Sequence, residues 1–190
     1  MILENQLESL IPQEAHDAIV YNIGNTNTSV KIDLSNERID KKFVHKNRVE
    51  NVLIAHPIVL SEEKKIYRTK IIADLNHTFF FDHSLGHLPG MLLLEAARQF
   101  GTTISHLYFN APFDAQFILH DLSSRFTAGV NSVDDAFIDI LITDIKMKND
   151  KLRKMSGIGY VHQNGQVVGK IGSSWSIIPG RVLEHLTKFH

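Results

Sequence analysis

Between Pro89 and Tyr108 the chain carries one long helical pattern that is apolar on nearly every side. Pro89 and Gly90 break the preceding chain, and proline suits a first helical turn because its missing N–H would be unpaired there anyway. From Met91 onward the residues are strong helix formers, Met91-Leu-Leu-Leu-Glu-Ala-Ala-Arg-Gln99. A helix without a polar stripe normally lies inside a domain, so the rest of the chain must wrap around it. Glu95 and Arg98 are three apart and Glu95 and Gln99 four apart, which puts all three on one face. A carboxylate and a guanidinium on a buried helix are costly unless paired or used. The segment therefore reads as a site.

Strand patterns surround this helix. Val52–Leu60 and Ile66–Ala73 are rich in β-branched residues and flank Ser61-Glu-Glu-Lys64, which predicts a hairpin. After the helix come Phe117–Phe126, Ala136–Met147 and Met155–His162, with a turn at Lys148-Asn-Asp-Lys151. Asn164-Gly165 is a strong two-residue hairpin signal, and Gln166–Ile178 is its return strand. Residues 1–40 read as a separate N-terminal extension, with helical spacing at Leu7, Leu10, Ile11 and Ala15 and a short strand at Val30–Leu34. The expected architecture is α+β: a curved antiparallel sheet wrapped around one central helix, the hotdog fold, as a single domain over residues 41–190. Pairing with a second copy would remove an exposed sheet edge, so a homodimer is expected.

Composition narrows the function classes. At 190 residues and 43% hydrophobic the chain has room for one well-buried domain. Twenty basic against 21 acidic residues argue against nucleic-acid binding. Without cysteine there is no disulfide framework, thiolate nucleophile or zinc-thiolate site. The first residues do not read as a signal peptide, and no apolar run approaches a membrane span. The expected location is the cytoplasm.

The residues His87-Leu-Pro-Gly-Met-Leu-Leu-Leu-Glu-Ala-Ala-Arg-Gln99 resemble the central-helix signature of the A-factor biosynthesis (AfsA-type) hotdog family of butyrolactone synthases. Phe43-Val-His-Lys46, followed by Val49–Leu53, resembles the short motif that opens such domains. The resemblance spans roughly Phe43 to Ile178. It implies transfer of a β-ketoacyl group, carried as a thioester, to a hydroxylated C3 phosphate acceptor. Hormone-making members carry two such domains in tandem, and this chain has room for one. Gly86 stands where the family tends to have an acidic residue before the histidine.

Several residues are candidates for that chemistry. Glu95 is expected to act as a general base, with its pKa raised by a partly desolvated cleft, or else to be locked to Arg98. Arg98 either neutralises the acceptor phosphate or fixes Glu95 in a bidentate pair. Gln99 positions its neighbours. Gly90, just after Pro89, offers its N–H at a helix N-terminus as an oxyanion donor, or simply starts the helix. His87 ranks first among the histidines for proton transfer and His83 second, with backbone-bonded loop histidines as the plain alternative. Asp82 joins them as a substrate-binding candidate. Zinc on Asp82, His83 and His87 is disfavoured because the motif precedes the helix, and no metal is expected. His45 and Lys46 could shape the site mouth, although a structural role is the stronger expectation. Lys41, Lys42, Lys46 and Arg48, and a second cluster of Lys146, Lys148, Lys151, Arg153 and Lys154, are either docking patches for an acidic acyl carrier protein or solvated faces.

The chain is therefore expected to be a butyrolactone-type acyltransferase using acyl carrier protein or coenzyme A thioesters. It needs no bound cofactor beyond the carrier's phosphopantetheine arm. A dehydratase or thioesterase on the same scaffold, and a non-catalytic acyl-binding protein, are the alternatives.

Overall fold

A computed structural model describes residues 35–83 and 86–180. Six antiparallel strands form one sheet: β1 (Ile58–Ser61), β2 (Ile66–Lys70), β3 (Gln116–Phe126), β4 (Ala136–Lys148), β5 (Lys151–Gln163) and β6 (Gln166–Ile178), in the order β1-β2-β4-β5-β6-β3. Among the described residues one α-helix, α1 (Gly90–Phe109), packs across it. The hotdog architecture expected above is the one observed. The proposed helix and strand within residues 1–34 lie outside the described residues. Within 35–40, Ile39 belongs to the core, and its N–H donates to the Ile54 carbonyl at 3.0 Å.

The β4–β5 and β5–β6 hairpins form where the turn residues predict. Asn149, Asp150, Asn164 and Gly165 all have positive φ, the backbone such two-residue turns require. Alternation then decides the layers. Ile138, Ile140 and Ile142 of β4 join Leu92, Leu93, Ala96, Phe100 and Ile104 of α1 in the main core. Gly157 of β5 is tightly enclosed. An added Cβ would sit 3.2 Å from the Leu141 carbonyl and 3.3 Å from the Ile140 and Ile142 side chains. The opposite sheet face carries a smaller cluster of Ile66, Leu141, Ile158 and Tyr160. Beside it, Arg68 donates to both carboxylate oxygens of Asp139, at 2.6 and 2.7 Å, and His162 Nε2 lies 3.1 Å from Asp139 Oδ1.

Two expectations shift. The strand expected over 52–60 is regular only from Ile58. Val52–Ala55 are buried but held mainly by single bonds, among them Ile72 N–H to the Leu53 carbonyl. Pro57, without an N–H, interrupts any ladder there. The helix, expected to be buried on all sides, has one open flank: Met91 is 64% exposed. Across from it Leu119 and Leu122 of β3, the end strand of the sheet order, are 52% and 51% exposed. Asn110, in left-handed conformation, ends the helix, and its N–H reaches the Ser105 carbonyl. Among the described residues no helix is long and apolar enough to cross a membrane.

Candidate functional site

The open flank of α1 and the uncovered part of the sheet enclose a cavity of about 250 Å³. Met91, Leu94, Glu95, Arg98 and Gly101 line it from the helix, Phe117, Leu119 and Leu122 from β3, and Ile171 and Trp175 from β6. Among the described residues its charged wall is the pair Glu95 and Arg98.

Four donors converge on the Glu95 carboxylate. Arg98 gives Nε to Oε2 at 2.7 Å and Nη2 to Oε1 at 2.8 Å. Gln99 Nε2 donates to Oε1 at 3.0 Å, and Lys46 Nζ lies 2.8 Å from the same oxygen. Burial by itself pushes this carboxyl up. The hydrogen bonds and charge of Arg98, with Lys46 and Gln99, outweigh it and hold the group down at about 2. This corrects the expectation of a raised pKa. Glu95 is held as an ionised carboxylate.

Lys46 arrives from a strap laid along the helix. A 3-10 turn over Lys41–Val44 is capped by the Asp40 side chain, which accepts from the Lys42 N–H. His45 follows in left-handed conformation with φ 54°. The strap then touches successive helical turns. Lys46 meets Glu95, the Val44 carbonyl accepts from Arg98 Nη2 at 3.3 Å, and the Phe43 carbonyl accepts from Thr103 Oγ1 at 3.4 Å. His45 Nε2 lies 2.9 Å from His106 Nε2. Positions 95 and 98, and 103 and 106, are each three apart, so the strap runs along one broad flank of the helix. The His106 Nδ1–H donates to the Ala111 carbonyl at 2.8 Å, so its Nε2 accepts and His45 donates. Burial lowers the pKa of both imidazoles.

Gln99 is fully buried and ties the helix to the segment before β1. Its Oε1 accepts from the Leu53 N–H at 2.9 Å, and its Nε2 also donates to the Asn51 carbonyl at 2.8 Å. The other candidates lie elsewhere. Pro89 sits at the N-cap, where its carbonyl accepts from the Leu92 and Leu93 N–H groups. Gly90 is the first helical residue but is not on the cavity wall, which begins at Met91. His87 bridges to Asn131, and the Leu88 N–H donates to the Val130 carbonyl at 2.7 Å. Asp82 and His83 are exposed. Among the described residues, none of Asp82, His83 and His87 bonds to Glu95, Arg98 or Gln99. Nor is there a cluster of three or more metal-ligating side chains among them.

Sequence reasoning understated Lys46, grouped with a basic surface cluster, and did not single out His106. The signal that could have found Lys46 was its place in the Phe43-Val-His-Lys46 motif.

Comparison with known proteins agrees with this construction. The A-factor biosynthesis hotdog domain matches residues 28–179. Over 117 residues the chain is 29% identical to 2-oxo-3-(phosphooxy)propyl 3-oxoalkanoate synthase of Streptomyces virginiae, covering 58% of this chain and 38% of that one. It thus spans well under half the length of that curated relative. Among solved structures, a thioesterase of Haemophilus influenzae superposes with TM-score 0.53 at 11% identity, over 77% of this chain and 96% of that one. A mutant thioesterase of Pseudomonas aeruginosa gives 0.52 at 12%, over 77% and 99%. At those identities the likeness is one of fold. With the family match running from before the strap to the last strand, the chain belongs to the A-factor biosynthesis hotdog domain family.

Proposed function

We propose that this protein is an acyl-thioester enzyme that transfers a β-ketoacyl group to the hydroxyl of a phosphorylated three-carbon acceptor. One observation carries the reading: a carboxylate clamped by two cations stands in the wall of an otherwise apolar cavity. The apolar wall suits an acyl chain. Arg98 and Lys46 leave one positive charge after neutralising Glu95, which suits an acceptor phosphate. The Streptomyces relative's name supports the reaction, because it describes an ester of a 3-oxoalkanoate with a phosphorylated three-carbon ketone.

Glu95 then has two successive roles. Before the acceptor arrives it holds Lys46 and Arg98 in place. The acceptor phosphate draws those cations toward itself, and losing donors raises the proton affinity of the carboxylate. The acceptor hydroxyl passes its proton to Glu95 as its oxygen attacks the thioester carbonyl. The tetrahedral intermediate collapses, the C–S bond breaks, and the proton goes on to the leaving thiolate. The positive end of α1 lies beside Met91 on the wall and stabilises the oxyanion. The thiol belongs to the phosphopantetheine arm of an acyl carrier protein or coenzyme A, and no further cofactor is required.

The same reading includes a homodimer. Among the described residues β3 is a sheet edge, bonded only to β6, and exposes Ile118, Leu119 and Leu122. A second copy covering that edge would also close the open side of the cavity.

A second reading, a non-catalytic acyl-binding protein, is favoured by the low Glu95 pKa of about 2. Steady-state kinetics with 3-oxoacyl-coenzyme A and dihydroxyacetone phosphate separate the two. For the enzyme, Lys46→Ala raises the acceptor KM about tenfold with a smaller change in kcat, and Glu95→Gln lowers kcat. Full activity in Glu95→Gln would contradict the scheme, and acyl binding without turnover would favour the binding protein.

A further inference from the structure

We infer that Trp175 is the floor of the acyl site and sets the length of chain the protein accepts, an inference that rests on the acyl-thioester reading above. The cavity runs along α1 and its two ends differ. At one end Met91 and Leu122 are more than half exposed, which makes it the entrance. At the other, Leu119 is also about half exposed, at 52%, but Gly101 and Trp175, which meet between the helix and β6, are buried and close the cavity on that side. The strand register gives the same axis. Leu122 pairs with Ser173 and Leu119 with Trp175, so Trp175 lies away from the Leu122 end.

Gly101 lets the indole lie against the helix. An added Cβ would come within 3.2 and 3.3 Å of two indole carbons. The indole is also tied in place. Its N–H donates to Ser105 Oγ at 3.2 Å, and that hydroxyl, fully buried, donates to the Gly101 carbonyl at 2.9 Å. A side chain oriented by the same helical turn it covers makes a fixed floor.

The position of this floor gives a length. Glu95 and Gly101 are six positions apart, about 9 Å along the helix axis. An extended hydrocarbon advances about 1.25 Å per bond, from C–C bonds of about 1.5 Å at near-tetrahedral angles. A thioester held beside Glu95 therefore brings its chain against the indole after about seven bonds. The preferred substrate is a medium-chain acyl group of about eight carbons.

Trp175 is the sole tryptophan, so its emission reports contact with the floor directly. The full chain is titrated with coenzyme A and with saturated acyl-coenzyme A from acetyl to tetradecanoyl, reading affinity by calorimetry and tryptophan emission in parallel. Affinity is expected to rise about fourfold per methylene and then to break near eight carbons, with emission changing from that length onward. Trp175→Phe moves the break about two carbons longer. Gly101→Ala, which presses the indole from the helix side, moves it shorter. An affinity break with emission unchanged at every length, or a break unmoved in both folded variants, overturns the floor while leaving the acyl-thioester reading intact. Failure of the native protein to bind any acyl thioester of this series, whether on coenzyme A or on acyl carrier protein, overturns that reading and this inference with it.

Discussion

Lys46 and Glu95 meet across two elements, the ammonium 2.8 Å from Oε1, with both side chains mostly shielded from water. The contact fixes the strap to the helix and helps keep the carboxyl ionised. Removing it by Lys46→Ala should raise the Glu95 pKa above its present value of about 2 and cost about 1 kcal/mol of stability. Carboxyl NMR titration and urea unfolding check the two effects. An unchanged pKa would mean that Arg98 and Gln99 alone suffice.

Acid should weaken the fold in a defined window. The Glu95 carboxyl has its ordinary value near 4.5 in the unfolded chain and about 2 in the fold. Its contribution is complete above the unfolded value and fades as pH falls through the folded one, on the order of 2 kcal/mol. Asp139, also held down, although burial opposes it, by Arg68 and His162, adds to the same loss. Glu95→Gln should therefore flatten, but not abolish, the fall in urea stability between pH 4.5 and 2. An identical slope in variant and native protein would contradict this assignment.

The His45–His106 pair adds a step at milder pH. Burial disfavours both protonated rings; for His45 the nearby His106 and Arg98 add to it, whereas for His106 the hydrogen bond to the Ala111 carbonyl opposes it. The unfolded chain takes up protons more readily, so stability is full above pH 6.5 and declines as pH falls below it. Thermal melts at pH 7.5 and 5.5 should show the drop, and His106→Gln should shrink it. A drop of the same size in the variant would assign it to other histidines.

On the opposite sheet face, Asp139→Ala would strand the Arg68 guanidinium, which is only 4% exposed. Breaking a buried pair from one side costs about 3–5 kcal/mol. Urea unfolding should show that loss, while the folded fraction keeps its acyl affinity because neither residue lines the cavity. A loss below 1 kcal/mol would mean that His162 and local rearrangement satisfy the arginine.

The helix, the late strands and both tight hairpins were legible because local chemistry specifies them. Asn164-Gly165 requires positive φ, and Pro89-Gly90 opens a run of helix formers. The Glu95–Arg98–Gln99 group was legible for the same reason, since helical spacing alone places those side chains together. What sequence spacing could not convey is long-range contact. Nothing local brings Lys46 onto Glu95 or His45 onto His106, and without Lys46 the direction of the Glu95 shift was read as upward. His87 misled in the opposite way. It is close to Glu95 in sequence, but the chain before the helix runs along residues 130–132 and carries it off the cavity wall. The open flank of α1 was hidden because a cavity wall and a core face have the same apolar composition.

The most direct test of the account is mass-spectrometric product analysis of the native protein with a 3-oxooctanoyl thioester and dihydroxyacetone phosphate. The account predicts the phosphorylated 3-oxoacyl ester together with one equivalent of free thiol. Free 3-oxo acid as the sole product would contradict acyl transfer and reassign the cavity to hydrolysis.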